Sequence, residues 1–302
     1  MSSVCILLST YNGQVFLQEQ IASITSQRFE GNIRVVVRDD GSSDNTLKIL
    51  DKWAQTFDVT IVKGNNIGPK ASFLELVQRA PVSDFYAFCD QDDVWSPTKI
   101  DSGVKHLLMM PQNKPNLYFS NAELADEILT SNDELFHKVT PNFTLVGAMV
   151  CNPALGCATM FNCHLMEIVK KVNPVHASMH DKFLLLTALL LGNVTYEHEP
   201  QMKYRQHSLN VCGREGSFKK RVNQTCKLWF GSKENTLEKQ AQELIYFFGD
   251  EITDVHKKEL KLFAEYKKSF TQKINLLQRQ DRITTHHKAN RSFVLRTILN
   301  LA

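Results

Sequence analysis

With 302 residues, 43% of them hydrophobic and 22% charged, the chain has the composition of a folded protein with a sizeable core, and extended disorder is excluded. The net charge of +3 is unevenly spread: residues 1 to 213 carry 17 Lys and Arg against 22 Asp and Glu, whereas 214 to 302 carry 18 against 10. No apolar run is long enough to span a bilayer and no basic-then-apolar leader opens the chain, so a cytoplasmic protein is expected. Seven cysteines without a Cys-x-x-Cys pair indicate neither a disulfide framework nor a zinc site, and they read as reduced, mostly buried thiols.

Val4 to Leu8 is a near-continuous apolar run, the pattern of a strand covered on both faces, and it breaks at Ser9-Thr10-Tyr11-Asn12-Gly13. Leu17, Ile21 and Ile24 then share one helical face. Ile33 to Val37 repeats the strand signal and stops at Arg38-Asp39-Asp40-Gly41-Ser42-Ser43-Asp44, where Ser43 or Asp44 can cap a helix through Leu47, Ile49, Leu50 and Trp53. Val59 to Val62 is a third strand. It ends in Gly64-Asn65-Asn66-Ile67-Gly68-Pro69, and Phe73, Leu74 and Val77 lie on the following helix. A fourth strand, Phe85 to Cys89, ends abruptly in Asp90-Gln91-Asp92-Asp93-Val94-Trp95, and Pro97 can start the next helix. Strands alternating with helices predict a doubly wound, mostly parallel α/β sheet, in which ligands bind beyond the carboxyl ends of the strands. Thr10-Tyr11-Asn12, Asp39-Asp40, Asn65-Asn66 and Asp90 to Asp93 therefore converge on one edge.

Carboxylates as close as Asp90, Asp92 and Asp93 repel one another unless a cation sits among them, and oxygen ligands at a strand end suit Mg²⁺ or Mn²⁺ shared with a phosphate. The alternative is a solvated acidic loop capping the next helix. Asp39 and Asp40 have an equally plain alternative, a turn before a helix. Trp95 either stacks near a ligand or packs in the core.

Further on, Asn121, Glu123 and Asp126 are expected near a sheet edge, Gly156 to Phe161 in a buried strand, and His137, Asn142 and Met149 in a loop. Met179-His180-Asp181-Lys182 opens an apolar helix reaching Leu191, and Asp181 stands where a cap would. A strand-like Val194 to Glu197 precedes Tyr204-Arg205-Gln206-His207-Ser208-Leu209-Asn210-Val211-Cys212-Gly213. Arg205 can bind an anion there or pair with a carboxylate at the sheet edge. In the tail, Phe218, Val222, Leu228, Trp229 and Phe230 alternate with Lys219, Lys220, Arg221 and Lys227 as in a basic amphipathic helix, and Leu244 to Phe248 and Leu260 to Ile274 are helical by period.

The ordered set Ser9-Thr10-Tyr11-Asn12-Gly13, Arg38-Asp39-Asp40-Gly41-Ser42-Ser43-Asp44-Asn45-Thr46 and Asp90-Gln91-Asp92-Asp93-Val94-Trp95-Ser96-Pro97 resembles the family 2, GT-A-fold, inverting glycosyltransferases. The pair Met179-His180-Asp181-Lys182 and Tyr204 to Gly213 resembles their bacterial rhamnosyltransferase branch. The resemblance covers about residues 3 to 213. It implies a GT-A catalytic domain over 1–213 with a basic helical extension over 214–302, and transfer of L-rhamnose from dTDP-L-rhamnose to a saccharide of a surface polysaccharide. A UDP-sugar is the alternative donor.

Position by position, the resemblance implies that Thr10, Tyr11 and Asn12 hold the base and ribose, with Asp39 bonding the pyrimidine N–H and Asp40 beside it. Asp90 would face the ribose, and Asp92 would bind Mn²⁺ or Mg²⁺ with Asp93 as second candidate. Asp181 would be the general base next to His180, and Arg205 and His207, with Asn210, would close over the diphosphate. The lack of a Gln-x-x-Arg-Trp signature points to a non-processive enzyme. For the tail two compatible readings stand: docking on an anionic membrane that carries a lipid-linked acceptor, or packing on the catalytic domain or on a second copy in a homodimer. Nucleic-acid binding is not expected. An aspartyl-nucleophile phosphatase would carry its Asp-x-Asp pattern after the first strand rather than the fourth, and a non-catalytic scaffold has no use for Asp39, Asp92, Asp181 and Arg205 together.

Overall fold

A computed structural model describes residues 1–207 and 236–301. The expected amphipathic helix at 218–230 and Asn210 lie outside these residues. In chain order the elements are β1 (Ser3–Thr10), α1 (Leu17–Thr25), β2 (Asn32–Asp39), α2 (Thr46–Trp53), β3 (Val59–Lys63), α3 (Pro69–Arg79), β4 (Phe85–Cys89), β5 (Val94–Trp95), α4 (Lys99–Leu108), β6 (Asn116–Ala125) and β7 (Ser131–Leu135). They continue with α5 (Leu145–Val150), β8 (Thr159–Asn162), α6 (Cys163–Lys170), α7 (His180–Leu191), β9 (Asn193–Arg205), α8 (Leu237–Phe248), α9 (Asp254–Glu265), α10 (Phe270–Gln278) and α11 (His287–Ile298). Among the described residues, no helix is long and apolar enough to cross a membrane.

Two compact units result, and they follow contacts rather than chain order. The first comprises Met1–Lys138, Ala154–Lys171 and Asn193–His207; the second comprises Val139–Pro153, Val172–Gly192 and the described tail. The apolar helix carrying Asp181 thus groups with the tail helices, where a linear boundary at 213 would put it with the sheet.

The first unit is built on one sheet of order β3-β2-β1-β4-β8-β6-β9-β5, with β7 on β6. Strands β3, β2, β1 and β4 are parallel. The apolar runs of β1, β2 and β4 are buried on both faces, with Val4 through Leu8 and Ala87 through Cys89 all fully inaccessible, whereas the edge strand β3 is only partly covered. Beyond β4 the sheet is mixed: β8 runs antiparallel to β4 and β6, β9 parallel to β6, and β5 antiparallel to β9. Register decides where the polar residues land. Thr10 pairs with Asp39, and Leu8 pairs with Cys89, so Tyr11, Asp40 and the acidic run from Asp90 all leave the sheet at its carboxyl edge.

Two expectations need correction. The stretch placed near a sheet edge is an internal strand, β6, lying between β8 and β9. Asn121 is fully buried there, and its polarity is satisfied within the fold: its amide donates to the His137 carbonyl (2.8 Å) and accepts from the His137 N–H (2.9 Å). Gly156 to Phe161 is strand only from Thr159, because Gly156–Ala158 forms a 3-10 turn.

In the second unit α7 is apolar around its whole circumference, as expected of a helix enclosed by others. Phe183 lies against Phe248 of α8, and α5 packs on α7, α9 and α11. The helix expected over Leu260 to Ile274 is broken. Tyr266–Lys268 forms a 3-10 turn, and Ser269 caps α10 by accepting from the Gln272 N–H at 3.1 Å.

Candidate active site

At the carboxyl edge of the first unit, two loops are stitched together by side chains of the Asp-Gly-Ser-Ser-Asp run. Asp39 is buried and accepts from the Thr10 hydroxyl (3.2 Å), the Ser42 N–H (2.9 Å) and the Ser42 hydroxyl (2.5 Å). Asn12, in the left-handed region at φ 48°, donates its N–H to the Ser42 hydroxyl (2.9 Å) and accepts from the Ser43 N–H (2.8 Å). Asp44 accepts from the Thr46 and Gln14 N–H groups, and Thr46 accepts from the Gly13 N–H. Above this framework Tyr11 is 47% exposed, an aromatic face presented at the edge.

Asp40 faces inward. It is paired with the buried Arg38 guanidinium and accepts from the Ile67 (2.8 Å) and Gly68 (3.0 Å) N–H groups. Arg38 also binds Glu75 (2.7 Å) and the Asn65 carbonyl (3.1 Å). This cluster fixes the 64–68 loop, so Asp40 serves the site through the loop and not by direct contact.

The acidic run after β4 splits into three environments. Asp92 Oδ2 lies 2.8 Å from His207 Nε2. Asp93 is fully buried, takes the Arg205 N–H at 3.2 Å and bonds to the Cys157 thiol. Burial, reinforced by Asp92 and Asp90, pushes the Asp93 carboxyl well above the usual carboxylate range, and burial with the Asp93 charge pushes the Cys157 thiol up likewise. Asp90, Asp93 and Cys157 could geometrically surround an ion. Of the three, the buried Cys157 thiol is a soft ligand and suits a hard divalent cation poorly. Asp92 and His207 do fit. Two ligands of an octahedral ion with bonds of about 2.1 Å stand about 3 Å apart, and a carboxylate with an imidazole suits Mn²⁺.

Arg205 differs from its expected place over a diphosphate. Its guanidinium is 1% exposed, donates to the Asp92 carbonyl (2.7 Å), the Glu127 carbonyl and the Glu19 carboxylate, and lies 4.6 Å from the Phe16 ring centroid. These bonds hold the acidic loop against α1 and leave the group facing inward. Trp95 is 2% exposed and belongs to the core, with the buried Lys99 ammonium 5.0 Å from its ring. The packing alternative therefore holds for Trp95.

In the second unit, Asp181 occupies the first turn of α7, half-buried, with Oδ1 accepting the Lys182 N–H at 2.7 Å. Met179, not Asp181, is the residue at the cap. Burial raises the Asp181 carboxyl to about 6, the range in which a carboxylate can take a proton near neutral pH. The neighbouring His180 is buried and held neutral, its imidazole pushed down to about 3 by burial. Lys182 donates to the Met149 carbonyl at 2.7 Å, and burial lowers its ammonium to about 8.

Residues 5–149 match the family described as glycosyl transferase family 2. The chain carries a family 2 glycosyltransferase domain. Over 244 residues, 74% of this chain and 80% of the relative, it is 28% identical to the dTDP-rhamnosyl transferase RfbG of Shigella flexneri. The S. aureus TarS 1-349 structure covers 99% of this chain and 80% of its own, with a TM-score of 0.59 at 15% identity. The mannosyltransferase PcManGT from Pyrobaculum calidifontis, solved with GDP-Man and Mn²⁺, covers 99% of this chain and 80% of its own, with a TM-score of 0.52 at 16% identity. At these identities the likeness is one of fold, and the fold is GT-A.

The glycosyltransferase segment contains Thr10, Tyr11, Asn12, Asp39, Asp40 and Asp90 to Trp95, whereas Asp181, Arg205 and His207 lie beyond it. The family match over residues 5–149 argues against the phosphatase reading of the Asp-x-Asp run. Residues of the glycosyltransferase domain that sequence reasoning missed are Gln91, which bonds both backbone groups of Tyr11, Arg38 at the heart of the 64–68 loop, and Glu19, the partner of Arg205. A charged residue closing the otherwise apolar run Val35-Val36-Val37 was the available signal for Arg38; nothing local marks Gln91.

Proposed function

We propose that this domain transfers L-rhamnose from dTDP-L-rhamnose to a saccharide hydroxyl during assembly of a bacterial surface polysaccharide, inverting the anomeric centre. The observation that carries the reading is the carboxyl-edge cluster of Tyr11, Asp39 and Asp92 with His207, inside and beside the matched family segment. The likeness to a dTDP-rhamnosyl transferase favours rhamnose, while TarS, solved in complex with UDP-GlcNAc, keeps a UDP-sugar as the second donor.

Tyr11 offers its exposed ring to the base. Asp39 has used three of roughly four acceptor positions on Thr10 and Ser42, which leaves one for a pyrimidine N–H. Asp90 faces the ribose. Asp92 and His207 would hold Mn²⁺ or Mg²⁺, which when bound screens the diphosphate and stabilises the leaving nucleotide. Asp181 takes the proton of the acceptor hydroxyl as that oxygen bonds to the anomeric carbon and the electron pair of the breaking C–O bond leaves with the diphosphate. Arg205 keeps Asp92 in place through its backbone carbonyl. The excess of Lys and Arg over residues 214–302 supports an anionic membrane surface as the place where a lipid-linked acceptor is met.

Calorimetric titration with dTDP and with UDP, each with Mn²⁺ and with chelator, tests the reading. Metal-dependent binding that favours dTDP is expected. Asp92→Asn should weaken it tenfold or more. Preference for UDP would discard rhamnose, and binding indifferent to both metal and Asp92 would discard the metal site.

A further inference from the structure

We propose that Gln91 is a positioning residue that holds Tyr11 at the base end of the donor site, coupling it to the acidic loop at the diphosphate end; this rests on the donor-site reading above. Strands β1 and β4 pair as far as Leu8 and Cys89 and then part. Two residues later the Gln91 side chain replaces the missing ladder. Its Oε1 accepts the Tyr11 N–H at 2.8 Å and its Nε2 donates to the Tyr11 carbonyl at 3.0 Å. One primary amide thus satisfies both backbone groups of a residue that lies at a loop apex with no strand partner.

The chemistry is particular to this side chain. Asn is one methylene too short to reach from the same backbone position. Glu has the right length but no donor for the carbonyl, which its second oxygen would repel. The neighbouring sequence is fitted to the amide as well: a Cβ at Gly13 would lie 2.2 Å from Gln91 Oε1 and 2.7 Å from its Cδ. Glycine at 13 leaves the amide room to lie against the 11–13 backbone. Asn12, in the left-handed region between them, turns the chain so that the Tyr11 ring stays exposed while its backbone faces Gln91.

Gln91 stands between Asp90 and Asp92, so the rigid unit that carries the proposed metal ligand also carries the clamp on the proposed base platform. Placement of the base relative to the diphosphate is then set by one side chain. Donors with a base should feel its loss, and ligands without a base should not.

The test compares dTDP with inorganic pyrophosphate, both with Mn²⁺, by calorimetric titration of wild type, Gln91→Ala, Gln91→Glu and Gly13→Ala. The last displaces the amide while leaving the acidic loop's own residues intact. Gln91→Ala and Gly13→Ala should each lose about tenfold in dTDP affinity, the worth of one to two net hydrogen bonds, with pyrophosphate affinity unchanged, and Gln91→Glu should fail to restore the dTDP affinity lost in Gln91→Ala. In turnover the loss should fall on KM for the donor and spare kcat. In a Tyr11→Ala background Gln91→Ala should cost nothing further, since it acts through Tyr11. Equal loss of dTDP and pyrophosphate, additive effects with Tyr11→Ala, or unchanged dTDP affinity would each overturn the inference. Absence of dTDP binding to the wild type would instead overturn the donor-site reading, and this inference with it.

Discussion

Asp181 is a residue whose environment changes what its chemical type can do. A solvated aspartate releases its proton near 4 and is a feeble base at neutral pH; burial in the first turn of α7 moves this one to about 6. Two consequences carry opposite signs. For catalysis, transfer should rise with pH through about 6 and level off above it, and Asp181→Asn should abolish turnover while dTDP binding survives. For stability, the folded state favours the protonated acid, so the contribution is full below about 4 and is lost as pH rises through about 6. Asp181→Asn, which keeps an acceptor for the Lys182 N–H, should therefore stabilise the protein at pH 7 by at most about 3 kcal/mol, with the gain vanishing near pH 4. Melting curves at pH 4 and 7 decide the second point. A variant that turns over, or an equal melting shift at both pH values, would remove the buried-base account.

Residue types alone drew attention to the carboxylates Asp90 to Asp93 at a strand end, and it was the family resemblance that singled out Asp39, Asp92 and Asp181 among residues with plain alternatives as turns and caps. Residue types could not mark Gln91, and for Arg205 they left carboxylate pairing open without naming Glu19 or the Asp92 carbonyl. Those roles depend on which distant backbone stands opposite, Tyr11 in one case and Asp92 in the other, and local pattern carries no such information.

At the scale of elements, β1, β2 and β4 were legible because strands buried on both faces must be near-continuously apolar, and β3 because its short apolar run sits between turn residues. In the mixed half, parts of β8 and β9 were legible in Gly156 to Phe161 and Val194 to Glu197, but how they pair was not. β8 is only four residues long and antiparallel, and β9 runs thirteen residues past a register shift opposite Ser120 and Asn121; neither pairing leaves a periodic trace. The loop between β3 and α3 illustrates how a motif can be recognised and its mechanics misread. Asp40 belongs to the recognised Asp-Asp-Gly run, yet its oxygens serve Arg38, Ile67 and Gly68. Arg38 and Asp40 are 2% and 5% exposed, so removing one leaves the other charged in a dry setting. Asp40→Ala should lower unfolding stability by about 3–5 kcal/mol, although Glu75 softens the loss by retaining a partner for the guanidinium. Arg38→Met combined with Asp40→Ala should be less damaging than Asp40→Ala alone. Denaturant unfolding of the two variants checks this, and a double variant worse than the single would show that the pair does more than neutralise itself.

For the whole molecule, a boundary drawn along the chain at 213 could not anticipate that residues 139–153 and 172–192 complete the tail's core. Beyond its polar first turn, α7 has no polar face to say which neighbour it serves. One polar residue shows how the discontinuous unit is joined. Asn142 donates its amide to the carbonyls of Asp281 (2.6 Å) and Ile283 (2.8 Å), some 140 positions away in sequence, while its oxygen accepts the Thr144 N–H (3.0 Å) and the Thr144 hydroxyl (2.9 Å). The Thr144 hydroxyl lies 3.1 Å from the Asp281 carbonyl and from the Gly147 N–H at the start of α5. Arg279, bound to Glu259 (2.9 Å) and to Asp281, fixes the other side of that turn. Asn142→Ala leaves two carbonyls and a helix cap short of partners at once, so a loss of about 1–3 kcal/mol is expected. The sign of a tertiary rather than local role lies in hydrogen exchange. Protection should fall both at Ala148 and Cys151, whose N–H groups close α5, and across the 279–284 turn. Loss confined to α5 would reduce Asn142 to a local cap, and the tail would then stand without this tie.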